Sequence, residues 1–352
     1  MKNSFGNIFR ITTWGESHGK AIGVVVDGCP AGLQLNLEEM NQELLRRQGG
    51  NSAFVTARKE PDQLEILSGM FEGKTTGAPI SLMIWNQDAD SSKYEPIKHL
   101  LRPGHANSTY LQKYGIFDWR GGGRASARET ACRVAAGAIA KQLIRHFGIS
   151  VCAYTKQIHH VIAKVPASHI QSSALKSPLF CPDPSACAQM QTCIQEVKAS
   201  GDSVGGVVEF LVEGMIPGLG DPIYEKLEGN LAKALMTLPA TKGFEIGEGF
   251  SSTQMLGSEH NDLFGTHSNH AGGTLGGIST GQPLIGRVAF KPTSSIRKPQ
   301  ETLTVEGKKE TFNLPDGSRH DPCVVPRAVP IVEAMVALVL ADAILMNRTS
   351  QL

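Results

Sequence analysis

The sequence predicts a mixed α and β enzyme folded as one domain, with a binding site for anions assembled from local groups. Three observations lead there. Strand-like and helix-like runs alternate along the whole chain, 38 glycines in 352 residues exceed ordinary usage, and neither a composition break nor a repeat of 20–50 residues divides it. Excess glycine marks tight turns and backbone held close to ligands. The length allows one large domain or two ordinary ones; without a linker, a single interleaved domain over 1–352 is the simplest reading.

The elements follow in order. Residues 22–27 read as a strand that ends in the Gly28-Cys29-Pro30 turn, and residues 36–47 as a helix capped by Asn36, with Leu37, Met40, Leu44 and Leu45 at helical spacing. Residues 80–85 read as a strand leading into a polar stretch, 86–108, long enough to be a functional loop. A glycine loop, Arg120-Gly121-Gly122-Gly123-Arg124, feeds a helix expected over Ala125 to Phe147. Residues 155–200 show no clear period and predict loops with a short helix near 186–199. Strands at 204–212 and 285–290, a helix at 223–237 and a last helix starting near Val329, with Pro330 in its first turn, complete the pass.

Composition excludes several classes. With 34 Lys+Arg against 33 Asp+Glu, no global field marks a nucleic-acid or membrane-surface binder. Seven cysteines lie at 29, 132, 152, 181, 187, 193 and 323 without a Cys-x-x-Cys pair, the pattern of reduced thiols, so no disulfide framework and no metal centre is expected. The N-terminus lacks the apolar segment of a secretory signal, and Ile331 to Met346 is shorter than the ~20 apolar residues of a membrane span. A cytoplasmic protein with a buried C-terminal helix is expected.

Four segments hold candidate chemistry. Gly15-Glu16-Ser17-His18-Gly19 fits the Gly-x-Ser-x-Gly nucleophile elbow, so a serine esterase using Ser17 is one rival. The elbow, however, needs a strand before it and a helix after it, whereas this motif runs into a Val-rich strand. His105, within Arg102-Pro103-Gly104-His105, is a structural loop histidine or, beside a bound anion, a proton donor; the nearby guanidinium favours its neutral form. Arg120, Arg124, Arg128 and Arg133 surround three glycines and Ser126 at a helix start, where backbone N–H groups and guanidinium forks attract carboxylate or phosphate. The segment is not a Walker A loop, because the Gly-Lys-Ser/Thr ending is missing. Lys291-Pro292-Thr293-Ser294-Ser295 suits a phosphate monoester and a solvated turn equally. Arg319-His320-Asp321 offers three polar heads, or an Arg–Asp pair capping the last helix.

Together these segments resemble the chorismate synthase family. Gly15-Glu16-Ser17-His18-Gly19 through Asp27-Gly28-Cys29-Pro30, Gly123-Arg124-Ala125-Ser126-Ala127-Arg128-Glu129-Thr130 through Ala138, and Arg319-His320-Asp321-Pro322-Cys323 through Glu333-Ala334-Met335 are similar to its three signatures. Matching stretches run from residue 6 to about 347. The resemblance implies an α+β fold, a β-α-β sandwich in which antiparallel sheets enclose a helical layer, assembled as a homotetramer. It implies a lyase of the shikimate pathway that converts 5-enolpyruvylshikimate 3-phosphate to chorismate by anti-1,4-elimination of phosphate, requiring reduced FMN without net redox change.

Carried over residue by residue, His18 would protonate the departing phosphate, His105 would sit at the flavin N1 edge and Asp321 would help deprotonate flavin N5. Ser17 and Ser126 would be hydrogen-bonding partners. Arg47, Arg102, Arg128 and Arg319 would answer the substrate's anionic groups. FMN would be held by Arg124, Ala125, Ser126, Pro239, Ala240, Gly276, Lys291, Pro292, Thr293, Ser294, Ser295 and Arg319. Some members reduce their flavin with NADPH; nothing in this sequence points to that ability, so an external flavin reductant is the expected partner. Where many members carry an Arg-Pro-Gly run followed by a second basic residue, this chain has Gly49 and Ala53. A non-catalytic flavin-binding protein is the second rival.

Overall fold

A computed structural model describes residues 2–48, 60–165, 177–318 and 320–351. The departures at Gly49 and Ala53 lie outside the described residues, as does Arg319.

Alternating apolar residues build two antiparallel five-stranded sheets. The first combines β1 (Ser4–Phe5), β2 (Arg10–Gly15), β3 (Ala21–Asp27) and β4 (Leu64–Ile66) with β7 (Ile80–Trp85), in the order β1-β2-β3-β7-β4. A small hairpin, β5 (Met70–Phe71) and β6 (Lys74–Thr75), separates β4 from β7. The second sheet joins β8 (Ser150–Ile158), β9 (Val161–Ile162), β10 (Gly206–Glu213), β11 (Thr241–Ile246) and β14 (Leu284–Phe290), in the order β11-β14-β10-β8-β9. Two further hairpins, β12 (Thr274–Leu275) with β13 (Ile278–Ser279) and β15 (Gln300–Leu303) with β16 (Lys309–Phe312), stand outside it.

Helices α1 (Leu37–Arg47), α2 (Asn107–Tyr114), α3 (Thr130–Arg145), α4 (Pro184–Ala199), α5 (Leu227–Met236) and α6 (Val325–Asn347) complete the fold. α3 packs on β3 and β7 of the first sheet, α6 packs on β8 and β10 of the second, and the two helices pack on each other. That is the expected sandwich of sheets around a helical layer. The crossing is tight: a Cβ on Gly137 would lie 2.4 Å from the Cβ of Ala334, so the position demands glycine. α6 is long and apolar enough to cross a membrane, but 89% of its apolar window is buried inside the protein, which makes it the core helix expected.

Several boundaries differ from the sequence reading. The helix expected from Ala125 begins at Thr130. Ser126 is extended, and its Oγ accepts a hydrogen bond from Arg128 N–H, which breaks the approach into two short 3-10 turns. The last helix begins at Val325, four residues before Val329, with Pro326 in its first turn and Pro330 inside. Pro326 needs no N–H donor there, and Pro330 forfeits one bond that apolar burial offsets. The segment 155–200 carries the end of β8, all of β9 and a sixteen-residue α4 capped by Asp183, whose side chain accepts from Ser185 and Ala186 N–H. All seven cysteines are free and buried.

Two buried carboxylates stitch distant parts of the sequence. Asp342 on α6 accepts from the backbone N–H groups of Asn7, Ile8 and Phe9, which pins the N-terminal segment to the C-terminal helix. Glu333, also on α6, accepts from Arg46 at 2.7 and 3.0 Å, Lys141 at 2.5 Å and Ala153 N–H at 2.9 Å. Burial alone would raise the Glu333 pKa, but the two cations outweigh it and hold the carboxyl near 2.

Candidate active site

A cleft of about 770 Å³ opens where the β2–β3 turn, the C-terminal end of α1, the 86–128 region, the 291–295 loop and the start of α6 meet. Its size falls toward the upper end of the roughly 300–1,000 Å³ of small-molecule sites. His18, His105, Asp321, Ser17 and Ser126 all line it, as do Arg47, Arg102, Arg128, Arg124, Ala125, Pro239, Ala240, Lys291, Thr293, Ser294 and Ser295. The structure thus gathers residues that are up to about 300 positions apart in sequence.

The β2–β3 turn presents Ser17 and His18. Ser17 is 1% exposed, and its Oγ lies 3.0 Å from His18 Nδ1. The His18 ring stands edge-on to Tyr94, centroids 5.3 Å apart. A Cβ on Gly121, where φ is +63°, would lie 2.4 Å from the His18 ring, so that glycine sets the room the imidazole has. The motif runs strand, turn, strand, because β3 follows it. A nucleophile elbow requires a helix there, and the esterase reading loses its structural basis.

Arginines converge from separate elements. Arg47, 2% exposed at the end of α1, donates to Asp62 Oδ2 at 2.6 Å. Arg128 donates to the other oxygen of Asp62 and, at 2.9 Å, to Asn86 Oδ1. Asp62 itself is 2% exposed and adopts φ +46°, a conformation non-glycine residues rarely take. Burial pushes the Asp62 carboxyl up, yet the two guanidinium groups overcome this and hold it below the usual range. Arg327 donates to Asp321 Oδ2 at 2.8 Å and to the Arg47 carbonyl at 3.1 Å. Arg102 is different. Its guanidinium donates to the Gly121 carbonyl and sits over the Tyr94 ring, 5.4 Å from the centroid, and among the described residues no carboxylate pairs with it. Burial lowers its pKa.

The 291–295 loop is bound to the 102–105 loop. Lys291 Nζ donates to Ser294 Oγ at 2.6 Å, and Ser294 Oγ donates to the Gly104 carbonyl at 2.8 Å. His105 Nδ1 lies 2.9 Å from the Pro103 carbonyl, to which only an N–H can bond, so Nε2 accepts from Ser295 Oγ at 3.0 Å in the neutral ring. Burial first, and Arg102 next, depress the His105 pKa to about 4; the same two causes bring His320, also lining the cleft, to about 4. The adjoining turn holds Ala240 at φ +69°, its carbonyl accepting from Lys291 N–H at 2.9 Å.

Some expected residues are placed differently. Arg124 lines the cleft, but its guanidinium is engaged by the Gly15 carbonyl and by both oxygens of Thr13. Gly276 and Pro292 are not among the described residues that line the cleft; Gly276 lies in the β12–β13 turn, tied to the entry of α5 through Leu227 N–H and the Gly277 carbonyl. Arg120 is exposed and pairs with Asp118, which itself lines the cleft, and Arg133 pairs with Glu129. Sequence reasoning missed Asp62, Tyr94 and Arg327. Arg327 carried a signal, since it is the single basic residue of the apolar α6.

The family model described as chorismate synthase matches residues 9–345. A chorismate synthase of Protochlamydia amoebophila is 57% identical, with 99% of each chain covered. One of Opitutus terrae is 52% identical, covering 97% of this chain and 96% of the relative. A solved crystal structure of chorismate synthase superposes with a TM-score of 0.77 at 35% identity, covering 97% of this chain and 93% of the other.

Proposed function

The chain belongs to the chorismate synthase family, and on that premise we propose that its cleft converts 5-enolpyruvylshikimate 3-phosphate to chorismate and phosphate, with reduced FMN bound beside the substrate. Family membership makes the protein a lyase and leaves both the esterase and the non-catalytic flavin binder without support. The observation that carries the reading is Arg102: a partly buried guanidinium with no carboxylate partner among the described residues, at the edge of a cleft, calls for a ligand anion. The substrate brings two carboxylates and a phosphate.

The residues present fit a flavin phosphate as well. Lys291, Thr293, Ser294 and Ser295 offer a cation and hydroxyls on one loop, and Ala240 holds an unfavourable φ in the same wall. These residues, with Arg124, Ala125, Ser126 and Pro239, would hold FMN. When bound, a reduced flavin supplies transient electron donation that is recovered within the turnover, so a ring hydrogen of low acidity is lost without a strong base.

The chain's own groups supply position and charge. Arg102, with the Asp62-braced pair Arg47 and Arg128, binds and orients the anionic substrate. Ser17 against Nδ1 fixes the His18 ring so that it delivers a proton to the departing phosphate. His105 is neutral in the ligand-free protein; an anion seated against Arg102 offsets the repulsion that helps depress its pKa and returns the ring toward its charged form. Arg327 orients the Asp321 carboxylate that accepts a proton at the cofactor edge.

Phosphate release under anaerobic conditions tests the reading. With dithionite-reduced FMN, the protein should release phosphate and form chorismate; with oxidised FMN it should not, and His105→Ala should lose about 10²-fold or more. Absence of release under full reduction would overturn the assignment.

A further inference from the structure

Away from the cleft, the β8–β9 connection consists of two histidines. β8 ends at Ile158 and β9 begins at Val161, so His159 and His160 form the whole turn. Such two-residue connections favour Asn, Asp or Gly because they need positive φ, and His159 supplies φ +52° at a conformational cost. The turn backbone is pinned on both sides: His159 N–H donates to the Gly205 carbonyl at 3.0 Å, and Gln157 Nε2 donates to the His159 carbonyl at 2.7 Å. The two imidazoles stand edge to face, with their Nδ1 atoms 2.6 Å apart. Cys193, from α4, brings its thiol to the same place, and one ligand atom from each of the three residues lies within 4.8 Å of the others.

We propose that His159, His160 and Cys193 form a binding site for one zinc-like divalent ion, distinct from the catalytic cleft. Two imidazoles and a thiolate are the ligand types that suit zinc, and three protein ligands leave a fourth position for water. With bonds of ~2.0–2.3 Å, a tetrahedral centre needs ligand atoms roughly 3.3–3.7 Å apart. The exposed imidazoles reach that spacing by rotating apart, while the buried Cys193 is held by its helix. Burial, and then Glu196, raise the Cys193 pKa, so the free thiol is protonated; binding exchanges its S–H proton for an S–Zn bond and releases one H⁺. The ion would staple the edge of the second sheet to α4. It plays no part in the elimination.

The test uses the full chain stripped of metal with a chelator. Zinc chloride should bind one equivalent and raise the melting temperature by about 3 °C or more, and cobalt(II) should give tetrahedral d–d bands with a thiolate-to-cobalt charge-transfer band. Cys193→Ser should abolish the charge-transfer band. His159→Gly removes a ligand and also relieves the backbone, so the metal-free variant should melt no lower than the parent, lose the zinc-induced shift, and keep its phosphate release. No binding to the parent chain, or a zinc shift unchanged in both variants, would overturn the proposal.

Discussion

Arg46 and Arg47 are neighbours on the last turn of α1, yet they enter two buried charge clusters of opposite character. Arg46 joins Lys141, Glu43 and Glu333, two cations against two carboxylates, and both oxygens of Glu333 are fully used. Arg47 and Arg128 share Asp62, with Glu60 as a looser second carboxylate 4.0 Å from Arg128, and Arg102 lines the same cleft with only a carbonyl and a ring for partners. The first cluster is closed and serves the fold. The second is open toward the cleft and is completed by a ligand. The same residue type one position apart thus does structural or functional work according to whether its counter-charge comes from the protein.

Breaking the closed cluster should have the largest effect on stability. Glu333→Gln leaves Arg46 and Lys141 without their shared carboxylate, and removal of one partner from a buried pair costs about 3–5 kcal/mol. Chemical denaturation should show that loss with or without ligand. A destabilisation under about 1 kcal/mol would mean that the cluster is not structural.

The open cluster should show itself in the pH dependence of the ligand-free protein. His105 and His320 have folded pKa values of about 4 against ~6.5 in the unfolded chain. Between these values the unfolded state binds protons that the folded state refuses, so stability is full above pH 6.5 and falls as the pH drops toward 4. Each histidine contributes a loss on the order of 1–3 kcal/mol, and bound anions should reduce it. Melting curves from pH 7 to 4.5, with and without inorganic phosphate, measure both parts; a flat profile would contradict the assignment of two neutral, half-buried histidines.

The smallest effect concerns the ring over Arg102. Tyr94→Leu removes the cation–π contact and the edge contact to His18. About 0.5–1 kcal/mol should be lost, read as a several-fold rise in KM with the fold intact.

Much of this arrangement was legible in the sequence. α1, β3, β7 and β14 follow their periodicity and caps to within one residue, because local spacing and the Asn36 cap decide them. The extended Ser126 was not legible, since its conformation depends on a hydroxyl turning back to Arg128 N–H. The end of β8 was missed for a different reason: Lys156 is the extra residue of a bulge opposite Val207 and Val208, so two polar residues, Lys156 and Gln157, follow one another and break the alternation that betrays a strand. At the site, the glycine turns and the arginine-rich helix start pointed to the cleft. Asp62 did not, because only the folded chain brings its carboxylate between Arg47 and Arg128, residues 15 and 66 positions away.

The most direct test of the open cluster is phosphate release by Arg102→Ala with reduced FMN, measured at a protein concentration corrected for the folded fraction. A fall of about 10²-fold or more in kcat/KM is expected at a melting temperature no lower than that of the parent, because a guanidinium that serves a ligand is a burden on the empty protein. Activity within about threefold of the parent, or a loss matched by unfolding, would contradict it.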